Sequence, residues 1–356
     1  MTRIRRITAA VRQVLPQREA TLYQGRESLT FVQCTVDCGD GLTGTGVTGR
    51  FLAGQVAALL SGLDDALAGI DALEIEAINA SLAARLNPRG MTGVFVSALS
   101  ALDMALWDLR GKALGQPVWR LIGGARAAVP AYATVGLPRF SEAELVAACR
   151  DALAEGMAGV KMLVGAGGRS LAEDAARVRA VRDAIGAGAA LMLDANCAMS
   201  VADARRLCGM IADCDITWFE EPVTGNDIEA LATLRRQVTI PIAAGQMVGS
   251  VTWFRDALAR GALDWVQPNV AFCGGISAML RILALAEAHG VPVAGAGGWE
   301  MANLPVMAGH AHGGMLEIHS AHAAIRELLA EEAVQEAGLL RAPERPGLGF
   351  VFRDLP

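Results

Sequence analysis

Three oxygen-bearing side chains recur at even spacing: Asp194 in LMLDAN, Glu220 in ITWFEEP and Gln246 in IPIAAGQ, each 26 residues from the last. Two carboxylates and an amide can gather around one hard divalent cation such as Mg²⁺, which prefers oxygen ligands. Each also ends or closely follows an apolar run of strand type, and one strand-plus-helix unit takes about that length. All three would then project from one rim of adjacent parallel strands, the C-terminal rim where barrel active sites lie. The competing explanation is that each is a lone polar residue capping its following helix. It serves any single position better, but the repeated spacing favours a shared cation for the set.

The elements that must position these residues follow from the patterning. From about Val129, short β-like runs alternate with Ala-rich helical stretches, as in parallel βα units. Eight strand candidates result: Val129 to Thr134, Gly159 to Leu163, Ala190 to Asp194, Ile216 to Glu220, Ile240 to Ala244, Asp264 to Pro268, Val291 to Ala294 and Met315 to Ile318. Their regular spacing fits a closed barrel better than an open doubly wound sheet. No GxGxxG follows the first strand, as a dinucleotide-binding sheet would require. Upstream, Ile4 to Val14, Ser28 to Val36 and Gly44 to Val47 alternate like antiparallel strands, with a turn at Cys38 to Gly41. Helical periodicity follows at Gln55 to Ala68 and Ala72 to Leu86, so the first part reads as an α+β domain. Val96 to Gly115 reads as a strongly amphipathic helix ending in a glycine cap.

A chain of 356 residues holds a barrel of about 250 residues plus a smaller partner. Its 31 basic residues are scattered and the net charge is -6, which argues against nucleic acid as a partner. No apolar run approaches the ~18 residues of a membrane helix, and MTRIRRITAAV is too short and charged for a signal peptide. The expectation is a soluble cytoplasmic protein with no membrane partner. Seven cysteines without a CxxC pair read as reduced core residues. All five histidines lie after residue 288, and His310 and His312, two apart in a helical stretch, would face different ways.

The stretch ALDMALWDLRGKALGQPVWRLIGG, the DAN at 194–196, the WFEEP around Glu220, the DWVQPN at 264–269 and the GGIS after it combine into a resemblance. Over nearly its whole length the chain resembles the mandelate racemase and muconate lactonizing enzyme branch of the enolase superfamily. The resemblance implies an α/β fold, a (β/α)7β TIM-like barrel with an N-terminal α+β capping domain. It implies one Mg²⁺ on the ends of strands three, four and five, and chemistry that starts by removing a proton α to a carboxylate. The corresponding division is 1–125 for the capping domain, 126–325 for the barrel and 326–356 for a segment returning to the cap. The partner is then a small-molecule carboxylate substrate, and a homo-oligomer is the family habit. An α-proton is weakly acidic, so the enolate left behind needs a cation and donors nearby. A lysine beside that cation is expected to have a lowered pKa.

The sequence departs from the family pattern at several positions. Where members carry KxK, this chain has Lys161-Met162-Leu163, so Lys161 is expected on the substrate carboxylate and Leu163 replaces the base. Asn269 and Ala296 stand where an Asp and a His form the opposing acid/base pair, and neither transfers a proton; Asn269 stays a site candidate by position. Glu317 in MLEI matches a residue that donates to the substrate carboxylate when protonated, or else is a buried paired carboxyl. Asn196 and Glu221 follow metal ligands and are expected to orient them. Gln246 replaces a carboxylate, leaving the loaded site formally neutral instead of singly negative, so the cation should bind more weakly and attract an anion more strongly.

Other groups remain open to two readings. Glu19, Tyr23, Arg26 and Arg50 of the first domain could reach the site or be solvated surface residues. The Gly-rich VGAGGRS at 164–170 and AGAGG at 294–298 could cradle a phosphate, or be permissive loops. Cys273 could replace a missing acid or be an inert buried thiol. Racemisation needs two opposed proton carriers, whereas elimination can proceed with one base and a metal. The sequence therefore reads as a Mg²⁺-dependent lyase, a dehydratase of a hydroxy acid or acid sugar. The alternative is a catalytically silent relative that binds a metal or small acid without turnover; the replacements at 163, 269 and 296 support it, and the retained rim and Lys161 oppose it.

Overall fold

The computed structural model describes residues 2–15, 28–85, 93–136, 138, 140–326, 328–331 and 333–353. Strands β1 (Arg6–Val14), β2 (Leu29–Asp37) and β3 (Thr43–Thr48) form an antiparallel sheet in that order. Among the described residues five helices follow: α1 (Ala53–Ser61), α2 (Asp64–Leu67), α3 (Ile75–Arg85), α4 (Val94–Ala113) and α5 (Val118–Ile122). The single helix expected over 55–68 is two, because Gly62 closes back on the Ala58 carbonyl before the chain restarts at Asp64.

Helix α4 is present where the sequence suggests an amphipathic helix, and it is buried on more than one face, every residue from Ala98 to Leu106 included. One side takes the sheet, and the other takes the barrel helix α11 (Gly275–Ala288). Gly44 and Gly46 on β3 permit the first contact. A β-carbon there would lie 2.0 Å from the Ala105 carbonyl oxygen and 1.9 Å from that of Ala101.

The second unit is the expected barrel. Its strands are β4 (Ala128–Val135), β5 (Gly159–Leu163), β6 (Ala190–Asp194), β7 (Ile216–Glu220), β8 (Ile242–Ala244), β9 (Trp265–Val266), β10 (Ala294–Gly295) and β11 (Met315–His319). Neighbours are parallel in the order β10-β11-β4-β5-β6-β7-β8-β9, and a bridge from Val266 to Val293 closes the ring. Helices α6 (Glu142–Ala154), α7 (Leu171–Ile185), α8 (Val201–Met210), α9 (Ile228–Arg235), α10 (Val251–Ala259), α11 and α12 (Glu300–Gly309) fill the seven connections. The molecule is thus a (β/α)7β barrel with an α+β cap. Strands β8, β9 and β10 are shorter than expected because Pro241, Pro268 and Pro292, which lack an N–H, interrupt or bound them.

Inside the barrel, Tyr132, Met192, Trp218, Ala243 and Ala294 make a separate apolar plug, with the Tyr132 and Trp218 rings edge-on at 5.3 Å. This plug is the floor on which polar residues stand. Past β11 come α13 (Ala323–Arg326), β12 (Gln335–Glu336) and β13 (Leu339–Arg341). Strand β13 pairs antiparallel with the start of β4, Leu348 N–H donates to Asp108 of α4, and Phe352 lies 5.7 Å from Phe31 of β2. His310 and His312 fall after α12 and not within it, with the His312 N–H donating to His310 Nδ1. All seven cysteines are free thiols, and no helix among the described residues is long and apolar enough to cross a membrane.

Candidate active site

Parallel register sets the first layer of the site. Leu163 pairs with Asp194 and Asp194 with Glu220, so the last residues of β5, β6 and β7 stand in one row at the C-terminal rim. Lys161, two residues before Leu163, shares its face by strand alternation. Its Nζ lies 2.5 Å from Glu220 Oε2, 3.1 Å from Glu317 Oε1 and 3.3 Å from Asp194 Oδ2. All four groups are buried, and one ammonium therefore answers three carboxylates.

That imbalance decides the electrostatics. Burial alone would pull the Lys161 ammonium down, but Glu220 and Glu317 outweigh it and hold its pKa well above the ordinary value. The lowered lysine pKa expected beside a cation is therefore not what the carboxylates produce by themselves. Burial raises the pKa of both Asp194 and Glu220, with Lys161 opposing it. Glu220 Oε1 is buried with no hydrogen-bond partner among the described residues. A carboxylate oxygen left bare in a net-anionic pocket suits a hard cation. No three acidic, imidazole or thiol groups among the described residues form a metal set, so the third donor would be the Gln246 amide oxygen.

Gln246 lies two residues past β8, and its Nε2 is 3.3 Å from both Asn196 Oδ1 and Glu221 Oε2. Asn196, two residues past β6, and Glu221, the first residue past β7, adopt positive φ, 44° and 42°. That strained turn lets the Asn196 N–H donate to Asp194 Oδ1 at 2.8 Å and swings Glu221 toward Gln246. Glu221 is pushed up to about 7 by burial and by Asp194. A neutral amide at 246 can donate to Glu221, which a carboxylate there could not do.

Glu317 accepts from Thr134 Oγ1, from the Gly297 N–H and from Lys161. Burial works against its charge, but Lys161 and His319 outweigh it and bring the pKa down to about 2. It is an ionised, fully paired acceptor in this arrangement. Asn269 is wholly buried; its Oδ1 accepts from the Ala271 N–H, and its Nδ2 has no partner among the described residues.

Above the rim is a cavity of 290 Å³ whose walls include Arg50, Leu163, Asn196, Gln246, His319 and His322. A larger cavity of 490 Å³ near the C-terminal segment contains none of the rim residues, so volume is not what marks the site. Of the candidate cap residues, Arg50 reaches the cavity, while Glu19, Tyr23 and Arg26 lie outside the described residues.

In each glycine loop one backbone N–H is already taken by a carboxylate, that of Gly165 by Asp174 and that of Gly297 by Glu317. Cys273 is buried, its thiol donates to the Gly275 carbonyl, and burial raises its pKa, as for an inert thiol. Sequence reasoning missed Gln267, which donates to Glu220 Oε2 at 2.7 Å, Thr134 beneath Glu317, and the two cavity histidines. Gln267 stood in the DWVQPN motif, and His319 stood two residues from Glu317 on the same strand face.

Comparison with known proteins agrees with this fold. Residues 4–123 match the mandelate racemase / muconate lactonizing enzyme N-terminal domain, and residues 144–355 match the enolase C-terminal domain-like family. The chain belongs to the mandelate racemase and muconate lactonizing enzyme branch of the enolase superfamily.

Within that branch it is 33% identical to the 3,6-anhydro-alpha-L-galactonate cycloisomerase of Streptomyces coelicolor, over 89% of this chain and 87% of the relative. A racemase from Streptomyces coelicolor, solved with bound magnesium, superposes with a TM-score of 0.89 at 31% identity, covering 98% of this chain and 97% of that one. The L-talarate dehydratase of Polaromonas sp. JS666, complexed with Mg and L-glucarate, gives a TM-score of 0.87 at 26% identity, covering 99% and 95%. Leu163 forms cavity wall, and Ala296 and Asn269 are buried.

Proposed function

We propose that this enolase-superfamily member is a Mg²⁺-dependent lyase that dehydrates a hydroxy acid or acid sugar. The observation that carries the reading is the row of Asp194 and Glu220 with Lys161 between them and Glu220 Oε1 unpartnered. Asp194, Glu220 and Gln246 would hold the cation, which when bound supplies positive charge for the substrate carboxylate and the enediolate. Lys161 is fixed in its charged form by its neighbours and binds the same carboxylate. Asn196 and Glu221 orient Asp194 and Gln246, Gln267 orients Glu220, and Asn269 supports the loop after β9. Arg50 gives the cavity mouth a cation suited to an anionic substrate. The division at 125/126 and the return of 326–356 to the cap are kept as part of this proposal, as are a cytoplasmic location and a homo-oligomer.

The acid-sugar class is supported by relatives named as dehydratases and cycloisomerases. None of them supports the catalytically silent alternative. Cycloisomerisation is a second reading, favoured by the similarity to the Streptomyces coelicolor enzyme: the same α-proton leaves, but the departing oxygen stays attached through the opened ring.

Incubation in D₂O with a panel of carboxylates, with and without Mg²⁺, tests the proposal. Magnesium-dependent loss of water from an acid sugar is the expected result. Product of unchanged mass would favour cycloisomerisation, and inertness toward acid sugars, amino acids and phosphorylated acids alike would sink the lyase reading.

A further inference from the structure

The lyase reading leaves one cluster without a role, the two histidines at the end of β11. Glu317 and His319 are two residues apart on one strand, so both face the barrel interior, with His319 nearer the mouth. His322 ends the single 3-10 turn Ser320–His322, and the two imidazoles stack with centroids 5.3 Å apart. Both line the cavity that also reaches Leu163 and Gln246.

The backbone sets their tautomers in opposite senses. The Ala321 N–H donates to His319 Nδ1 at 3.0 Å, so the proton of that neutral ring sits on Nε2. His322 Nδ1 lies 2.9 Å from the Gly298 carbonyl oxygen, which only accepts, so its proton sits on Nδ1 and Nε2 keeps a lone pair. Enclosure by the cavity walls pushes both pKa values down, His319 to about 3, and keeps both rings neutral at neutral pH. Neither Nε2 has a hydrogen-bond partner among the described residues.

The surroundings are shaped to hold the pair. Gly298 has φ +65°, and a β-carbon on it would lie 2.2 Å from His319 Cβ and 2.7 Å from His322 Nδ1, so a side chain there would displace both rings. The Trp299 ring packs 5.4 Å from His322, and Phe31 of β2 packs 6.3 Å from Trp299.

We propose that His322 is the proton-transferring group of the reaction, taking the substrate α-proton on Nε2 and returning it to the departing oxygen, to which His319 Nε2–H donates a hydrogen bond. This rests on the lyase reading. The α C–H bond breaks, its proton forms the imidazolium of His322, and its electron pair becomes the enediolate double bond. As the β C–O bond breaks, its pair leaves on oxygen, which takes the proton from His322 and departs as water. His322 ends neutral, the enol tautomerises to a 2-keto acid, and no oxidant or reductant is needed. Lys161 Nζ is engaged by Glu220, Glu317 and Asp194 at the barrel floor, whereas both histidines line the cavity above it. With the proton carried from β11, the chain needs no acid or base at Leu163, Asn269 or Ala296.

Two substitutions separate the role from the fold. His322→Asn keeps an N–H for the Gly298 carbonyl and removes Nε2; His319→Asn keeps an acceptor for the Ala321 N–H and removes Nε2–H. With Mg²⁺ and a substrate that the wild type turns over, H322N is expected to lose about 10²- to 10⁴-fold in kcat, with KM and Mg²⁺ affinity unchanged. H319N is expected to lose about tenfold, the equivalent of one hydrogen bond to the departing oxygen. A folded H322N with kcat close to that of the wild type overturns the proposal and leaves the lyase reading standing. A wild type inert toward the whole panel overturns the lyase reading and this proposal with it. Long-range ¹H–¹⁵N spectra of the wild-type protein give an answer that needs neither turnover nor a folded variant: Nδ1–H at His322 and Nε2–H at His319 are expected, and Nε2–H at His322 overturns the assignment.

Discussion

Lys161 Nζ lies 2.5 Å from Glu220 Oε2, both without solvent exposure, and the same ammonium is the counter-charge of Asp194 and Glu317. Lys161→Met would leave three buried carboxylates facing one another. Without metal, the variant is expected to lose roughly 3–5 kcal/mol of stability in urea unfolding. Magnesium should recover more stability in the variant than it adds to the wild type, because the cation then supplies the only positive charge there. An equal Mg²⁺-dependent shift of Tm in both proteins would contradict this account of the site.

Gln246 donates to Glu221, so Gln246→Glu sets two carboxylates against each other while adding a third anionic ligand. Calorimetric titration is expected to show Mg²⁺ binding tightened by about tenfold, or ~1.4 kcal/mol. The metal-free variant should at the same time melt below the wild type. Unchanged Mg²⁺ affinity would remove Gln246 from the ligand set.

Burial pushes the thiols of Cys34, Cys149 and Cys208 up to about 12 from an ordinary value of 9.0. Their folded pKa is raised, so the stability they contribute is fully present below pH 9 and is lost as pH rises toward 12. Between those values only the unfolded chain ionises, and each thiol should lower stability by about 1.4 kcal/mol per pH unit. Disulfide-exchange labelling at pH 8 is expected to leave these three unreacted until denaturant is added. Rapid labelling of the native protein at all three would refute their burial.

Gly298→Ala tests whether the histidine pair needs its packing. The new methyl would strike His319 and His322, and φ at this position disfavours any side chain. We expect kcat to fall by about 10²-fold, as for misplacement of a group by an ångström, with Mg²⁺ affinity unchanged because the ligands lie on other strands. A parallel loss of Mg²⁺ binding would indicate a general collapse of the rim instead.

The carboxylate rim was legible in the sequence because each of its two acids ends an apolar run, and parallel strands of equal unit length bring such ends into one row. The partners of those acids were not. Gln267 and Thr134 meet Glu220 and Glu317 across neighbouring strands, and only the barrel's register determines which residues meet. His319 carried a usable signal, since a strand that turns Glu317 inward must also turn inward the residue two positions on. Helix α4 was legible as a helix, but the burial of its second side depends on α11, more than 150 residues away. Gln246 was placed on the rim by its spacing and by the apolar run before it, and its hydrogen bond to Glu221 gave the substitution a physical context.

Phe31 belongs to the cap, Trp299 and His322 belong to the barrel, and the three rings form one continuous run of edge-on and tilted contacts. A change at Phe31 would therefore also change the wall against which His322 rests. With His322 in its proposed role, the cap reaches the proton-transferring group through these rings, and recombination between relatives is expected to preserve turnover only where the aromatic contact across the seam is inherited together.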